Sequence, residues 1–98
     1  MSKFLVLWSL DVTKLGSAAI NAVFAMPEYA DRLIKSGQVL HRYHIVGKHG
    51  GAWIYNVHSN EELDKLLAQA PVYNLATYEV IPLADMADPA TVAGAKIL

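Results

Sequence analysis

One short segment concentrates the side chains able to move protons or hold anions: His41-Arg42-Tyr43-His44. An imidazole serves as acid or base near neutral pH. A guanidinium clamps a carboxylate or steadies a developing oxyanion. A phenol donates a hydrogen bond. Further along the chain stand Trp53, Tyr55, Asn56 and Glu79. Together these types suit proton transfer at a carbon near a carbonyl. A base takes a carbon-bound proton, donors hold the enolate charge, and an acid returns the proton. His44 is then the base or shuttle, Arg42 the clamp and Glu79 the reserve base. Tyr43, Tyr55 and Asn56 are candidate donors, while Trp53, His41 and Phe24 complete the candidate substrate contacts.

Other chemistries find less support. There is no cysteine, which excludes disulfides, thiolate metal sites and a Cys nucleophile. Among four His, His41 and His44 stand three apart, so on one strand they face opposite ways. His49 falls in a turn and His58 precedes a helix cap, so no three ligands are spaced to converge on a metal. No glycine-rich phosphate loop or G-x-S-x-G pattern occurs.

The elements that must position these residues are legible in the pattern. Phe4 to Leu10 is an apolar strand. Ser17 to Lys35 is helical, with Ile20, Val23, Phe24, Pro27, Ala30 or Asp31, and Ile34 at three- and four-residue steps. Pro27 should kink or split that helix, and Gly37 should end it. Val39 to Val46 and Ala52 to Val57 form a hairpin around a Gly47 to Gly51 turn. Ser59-Asn60-Glu61-Glu62 is a capping box opening a helix through Leu63, Leu66, Leu67 and Ala70. Thr77 to Leu83 is the last strand.

The order β-α-β-β-α-β defines an α+β, ferredoxin-like fold with a four-stranded antiparallel sheet and two helices on one face. Residues 1–84 make the domain and 85–98 a C-terminal arm. If Val46 pairs with Ala52, Tyr43 faces Tyr55, Ile45 faces Trp53 and His41 faces Val57 on one side. Arg42 then faces Asn56, and His44 faces Ile54, on the other. Buried polar groups need partners, so the Arg42–His44 face is either a ligand cleft or a subunit contact. In the same way Glu79 is either a base or one member of a strand or interface pair, and the aromatics are either pocket walls or core.

Composition narrows the setting. The chain has 98 residues, 54% of them hydrophobic and 17% charged. This excess of apolar residues for one small domain points to self-association through the uncovered sheet face. Eight Lys and Arg against nine Asp and Glu, a formal net charge of −1, leave no basic stripe for nucleic acid. The longest uncharged run, Leu15 to Pro27, falls short of the roughly 20 residues that span a membrane. The N-terminal apolar run is too short and interrupted for a signal peptide. A cytoplasmic protein acting on a small molecule is the expectation.

The stretch Gly37, His41, Val46-Gly47-Lys48, Tyr55, Ser59 and Glu62-Leu63 resembles the muconolactone isomerase family. Leu66-Leu67, Pro71 and Tyr78-Glu79-Val80-Ile81-Pro82-Leu83-Ala84 extend the likeness, as do Phe4-Leu5-Val6 and Asp11-Val12. The resemblance implies a sheet-to-sheet homodimer, a dimeric α/β barrel, and larger rings up to a decamer. It also implies a cofactor-free isomerase that moves a ring double bond by proton transfer in bacterial aromatic-compound catabolism. More loosely the chain is similar to cofactor-free monooxygenases and cyclases of natural-product biosynthesis, which take larger aromatic or polyketide-like substrates. A non-catalytic ligand-binding or assembly module is the third reading. The first helix departs from the family by being shorter and apolar, which suits a bulkier substrate, and Arg42 and His44 differ in type from the family residues.

Overall fold

The computed structural model describes residues 1–11, 13 and 16–88. Its elements are β1 (Ser2–Leu10), α1 (Ser17–Ser36), β2 (Val39–His44), β3 (Gly50–Val57), α2 (Asn60–Ala68), a 3₁₀ turn (Tyr73–Leu75) and β4 (Ala76–Leu83). The sheet order is β2-β3-β1-β4 with every pair antiparallel. This is the ferredoxin-like arrangement. Residues 85–88 follow β4 as coil, with Asp85 3.8 Å from Lys3, and the rest of the expected arm, 89–98, lies outside the described residues. No described helix is long and apolar enough to cross a membrane.

The core lies between the helices and one sheet face. Met26, Tyr29, Ala30 and Leu33 of α1, with Leu63, Leu66 and Leu67 of α2, cover Phe4, Val6, Trp53, Tyr55 and Val57. β3 alternates, burying Gly51, Trp53, Tyr55 and Val57 while the residues between are half-buried. The buried stripe of α1 is turned from the one expected: Phe24 is 78% exposed and Ile20, Val23 and Ile34 are also exposed. Tyr29 explains the rotation. Its ring is buried because its hydroxyl donates to the Leu66 carbonyl at 2.7 Å and lies 3.1 Å from the Tyr55 hydroxyl, so a polar-tipped residue takes the place of an aliphatic one.

Pro27 does not split α1, which runs unbroken from Ser17 to Ser36. The proline removes only the donor that the Val23 carbonyl would otherwise receive. Gly37 (φ +80°) ends the helix, its N–H donating to the Ile34 carbonyl at 3.1 Å and that of Gln38 to the Leu33 carbonyl at 2.9 Å. α2 opens with the Ser59 hydroxyl accepting from the Glu62 N–H at 3.1 Å. The Glu62 carboxylate reaches back one residue further than a simple box requires, to the His58 N–H, and also accepts from the Gln38 side chain. The His58 N–H, the largest influence, holds the Glu62 carboxyl below its usual range.

The hairpin register differs from the expected one. Arg42 lies opposite Trp53, Tyr43 opposite Ala52 and His44 opposite Gly51, a shift of three residues. The turn accounts for it. It runs over 45–49, with Ile45 N–H on the Gly50 carbonyl and Lys48 N–H on the Ile45 carbonyl, both 3.2 Å, and Gly47 at φ +83°. Gly50 and Gly51, expected in the turn, are the first residues of β3. A register irregularity between Val39 and His41 absorbs one residue at Leu40. An odd shift exchanges faces, so Trp53 and Tyr55 share the helix side with Arg42 and His44, and His41 and Tyr43 take the outer side with Ile54 and Asn56.

Candidate functional site

Between the N-terminal half of α1 and the β1–β3–β2 side of the sheet lies a cleft of about 350 Å³. Val23, Met26 and Pro27 form its helix wall, Trp8, Trp53 and the glycines of β3 its floor, and Arg42 and His44 its β2 rim. Strand alternation puts Arg42 and His44 on one face, and the shortened hairpin puts both indoles there with them. The Trp8 and Trp53 rings meet edge to face, centroids 6.0 Å apart at 83°. Trp53 in turn stacks on Tyr29 and Tyr55, each with centroids 6.1 Å away, so the floor is held from behind by the core.

Arg42 reaches across the mouth, its Nη2 3.8 Å from the Asp31 carboxylate of α1. Both side chains are substantially exposed, so this pair ties β2 to α1 weakly and leaves the guanidinium available to an anion. Among the side chains that line the cleft none is a carboxylate, and His44 carries its one imidazole.

The other candidates lie elsewhere. Glu79 is opposite Leu7 on the outer face, exposed, in a separate groove with Ser9, Lys48 and Thr77. His41 and Tyr43 stack on that outer side, centroids 6.3 Å apart, and Tyr43 borders the cleft from its edge. Asn56 is on the outer face opposite Lys3, its Oδ1 buried without a partner among the described residues. Tyr55 sits behind Trp53 in the core; burial first of all, then the neighbouring Tyr29, raises its hydroxyl pKa. Phe24 lines a shallow groove on the far side of α1 with Glu28, Asp31, Arg32 and Lys35. Trp8, an aromatic whose type suits a pocket wall, is in the cleft, and so are Met26 and Gly51, which the chemistry of their residue types did not single out. Gly51 had one signal available: a glycine inside a strand marks a close approach as often as a turn. Among the described residues no three His, Asp or Glu side chains cluster as a metal would require.

The fold and the cleft together define a ferredoxin-like α+β domain with a small-molecule-sized cleft between its first helix and its sheet. Residues 7–88 match the muconolactone delta-isomerase family, and the chain belongs to that family. It is 36% identical over 55 residues to muconolactone delta-isomerase 1 of Acinetobacter lwoffii, a match spanning 56% of this chain and 57% of that protein. Its structure matches the crystal structure of muconolactone isomerase with a TM-score of 0.73 and 26% identity, covering 88% of this chain and 97% of the other.

Proposed function

We propose that this chain is an isomerase that shifts a double bond in a lactone or related carbonyl compound by proton transfer, without a cofactor, in the α1–β2–β3 cleft. The observation that carries the reading is the placing of His44 and Arg42 on the same rim over an apolar, aromatic floor. His44 takes the carbon-bound proton and returns it to another carbon of the same conjugated system. Arg42, a donor without acceptor capacity, holds a carboxylate or the oxygen on which enolate charge collects. The indole floor and the Val23–Met26–Pro27 wall offer the rest of the substrate an apolar surface to pack against. Membership of the muconolactone delta-isomerase family supports the reaction class.

Glu79 has no part in this scheme, because it faces the opposite side of the sheet. The outer face, with Leu5, Leu7, Ile54 and Ile81 half-buried and Tyr43 62% exposed, is suited to a second copy of the chain. Light scattering on the purified protein tests that assembly.

The apolar helix wall favours a second substrate reading, a larger aromatic or polyketide-like compound handled by the same base. Parallel assays with muconolactone and with a butenolide bearing a bulky aryl group separate the two. Turnover of muconolactone supports the degradative isomerase, and turnover of the aryl butenolide alone supports the larger substrate. Turnover of neither, with oxygen uptake on an electron-rich quinol, moves the chain to oxygenase chemistry.

A further inference from the structure

Val23, Pro27 and Asp31 follow one another at four-residue steps along α1, so they share one side of the helix. Val23 and Pro27 line the cleft, and Asp31 meets Arg42 of the β2 rim at 3.8 Å. In a regular helix the carbonyl of residue 23 receives the N–H of residue 27. Residue 27 is a proline and has none to give. The Val23 carbonyl therefore stands without its helical donor, on the wall of the cleft.

That oxygen is open to a ligand. Val23 is 38% exposed, and Pro27 is exposed beside it. On the open side of a helix the carbonyls tilt outward, so this one is turned to the cleft and not to the core. The side-chain hydroxyls that do reach helical carbonyls, those of Tyr29 and Ser36, donate to Leu66 and Leu33. A main-chain carbonyl is an obligatory acceptor, and solvent can meet it in the free protein. A ligand that fills the cleft displaces that solvent and must bring the donor itself. The β2 rim asks for the opposite kind of group, because the Arg42 guanidinium can only donate. Pro27 and Asp31 are about 6 Å apart along the helix axis, the scale of one or two fused rings with a group at each end. The indoles of Trp8 and Trp53 give such rings a floor.

We infer that the cleft takes a hydroxylated aromatic acid, its hydroxyl donating to the Val23 carbonyl and its carboxylate meeting Arg42. Pro27 is the residue that keeps the carbonyl free for it. The inference rests on the larger aromatic reading of the cleft, since an ionised muconolactone has no hydroxyl to give. It adds a polar requirement to a helix wall whose side chains alone are apolar.

The chain has a single Val-Phe step, Val23-Phe24. Protein labelled with ¹³C at its valine carbonyls and ¹⁵N at its phenylalanines therefore gives one correlated signal, that of the Val23 carbonyl. The probes are a hydroxynaphthoate with hydroxyl and carboxylate on opposite rings, its methyl ether, and the plain naphthoate. The signal is expected to move downfield with the hydroxynaphthoate alone, which should bind about fivefold more tightly than the other two. Pro27→Ala returns the missing N–H to a residue type that favours helix. In that variant the signal should lie downfield before any ligand is added. The preference for the hydroxyl should vanish while the other two naphthoates bind as before. Movement with the hydroxynaphthoate but no turnover of either unsaturated lactone upholds the contact and removes the isomerase. Turnover of the aryl butenolide with the signal unmoved and no preference for the hydroxyl removes the contact and keeps the isomerase. Equal movement with the methyl ether, equal loss of all three naphthoates in Pro27→Ala, or binding of none overturns the contact.

Discussion

Arg42 and Trp53 stand opposite each other across the β2–β3 ladder, on the face covered by the helices. That pairing brings a cation to the edge of an aromatic floor. Two residues along β2, His44 lies opposite Gly51, whose missing side chain lets the Trp8 and Trp53 indoles close in beside it. The edge strand thus delivers Arg42 and His44 to one cleft and sends His41 and Tyr43 to the outer face.

His44 is the proton carrier in this account. His44→Ala should lower isomerase turnover by about 10²–10⁴-fold while the circular dichroism spectrum and melting temperature stay close to those of the parent. Activity within a few-fold of the parent removes His44 from the mechanism.

Arg42 holds the acidic end of the substrate. Arg42→Met should raise KM by about 10-fold, the equivalent of one charge-assisted hydrogen bond. Arg42→Lys should restore only part of it, because an ammonium lacks the planar fork. Steady-state kinetics on the two variants decides, and full recovery in Arg42→Lys would leave simple charge as the only requirement.

Glu79 faces away from the cleft and is exposed. Glu79→Gln should leave turnover within about twofold, as exposed substitutions away from a site usually do. A large loss in turnover with the oligomeric state unchanged would put the chemistry on the outer face and contradict the assignment of the cleft.

The buried phenols make a pH prediction. Burial, the largest influence, raises Tyr29, Tyr55 and Tyr78 above the ordinary value of 10.0. The folded protein therefore keeps protons that the unfolded chain releases above that pH. Stability is fully present below about pH 10 and falls as pH rises beyond it. Urea midpoints should drop between about pH 9 and pH 11, and Tyr55→Phe should flatten the drop. Tyr29→Phe, which leaves the Tyr55 hydroxyl buried without its partner, should cost about 1–2 kcal/mol at neutral pH. An identical alkaline slope in Tyr55→Phe and parent would contradict the assignment.

The order of elements was legible in the sequence because hydrophobic period, the Ser59–Glu62 cap and Gly37 all act locally. The hairpin register was not. It depends on where the turn closes and on the irregularity at Leu40, and neither leaves a distinct mark on apolar alternation. That one difference moved Trp53 and Tyr55 to the other side of the sheet relative to Tyr43. Arg42 and His44 could still be placed on a common face, because residues two apart on a strand share a face in any register. The buried face of α1 was misread for a related reason: Tyr29 reads as a surface residue until its hydroxyl finds the Leu66 carbonyl. Gly51 reads as turn chemistry until Trp8 and His44 stand on either side of it.

The most direct test of the central claim is proton NMR of muconolactone in D₂O with the purified protein and with its His44→Ala variant. The account predicts loss of the starting lactone, appearance of the shifted double bond, and deuterium at the carbon that receives the proton, all strongly slowed in the variant. No conversion and no deuterium uptake for muconolactone or the aryl butenolide would contradict it, as would equal rates for parent and variant.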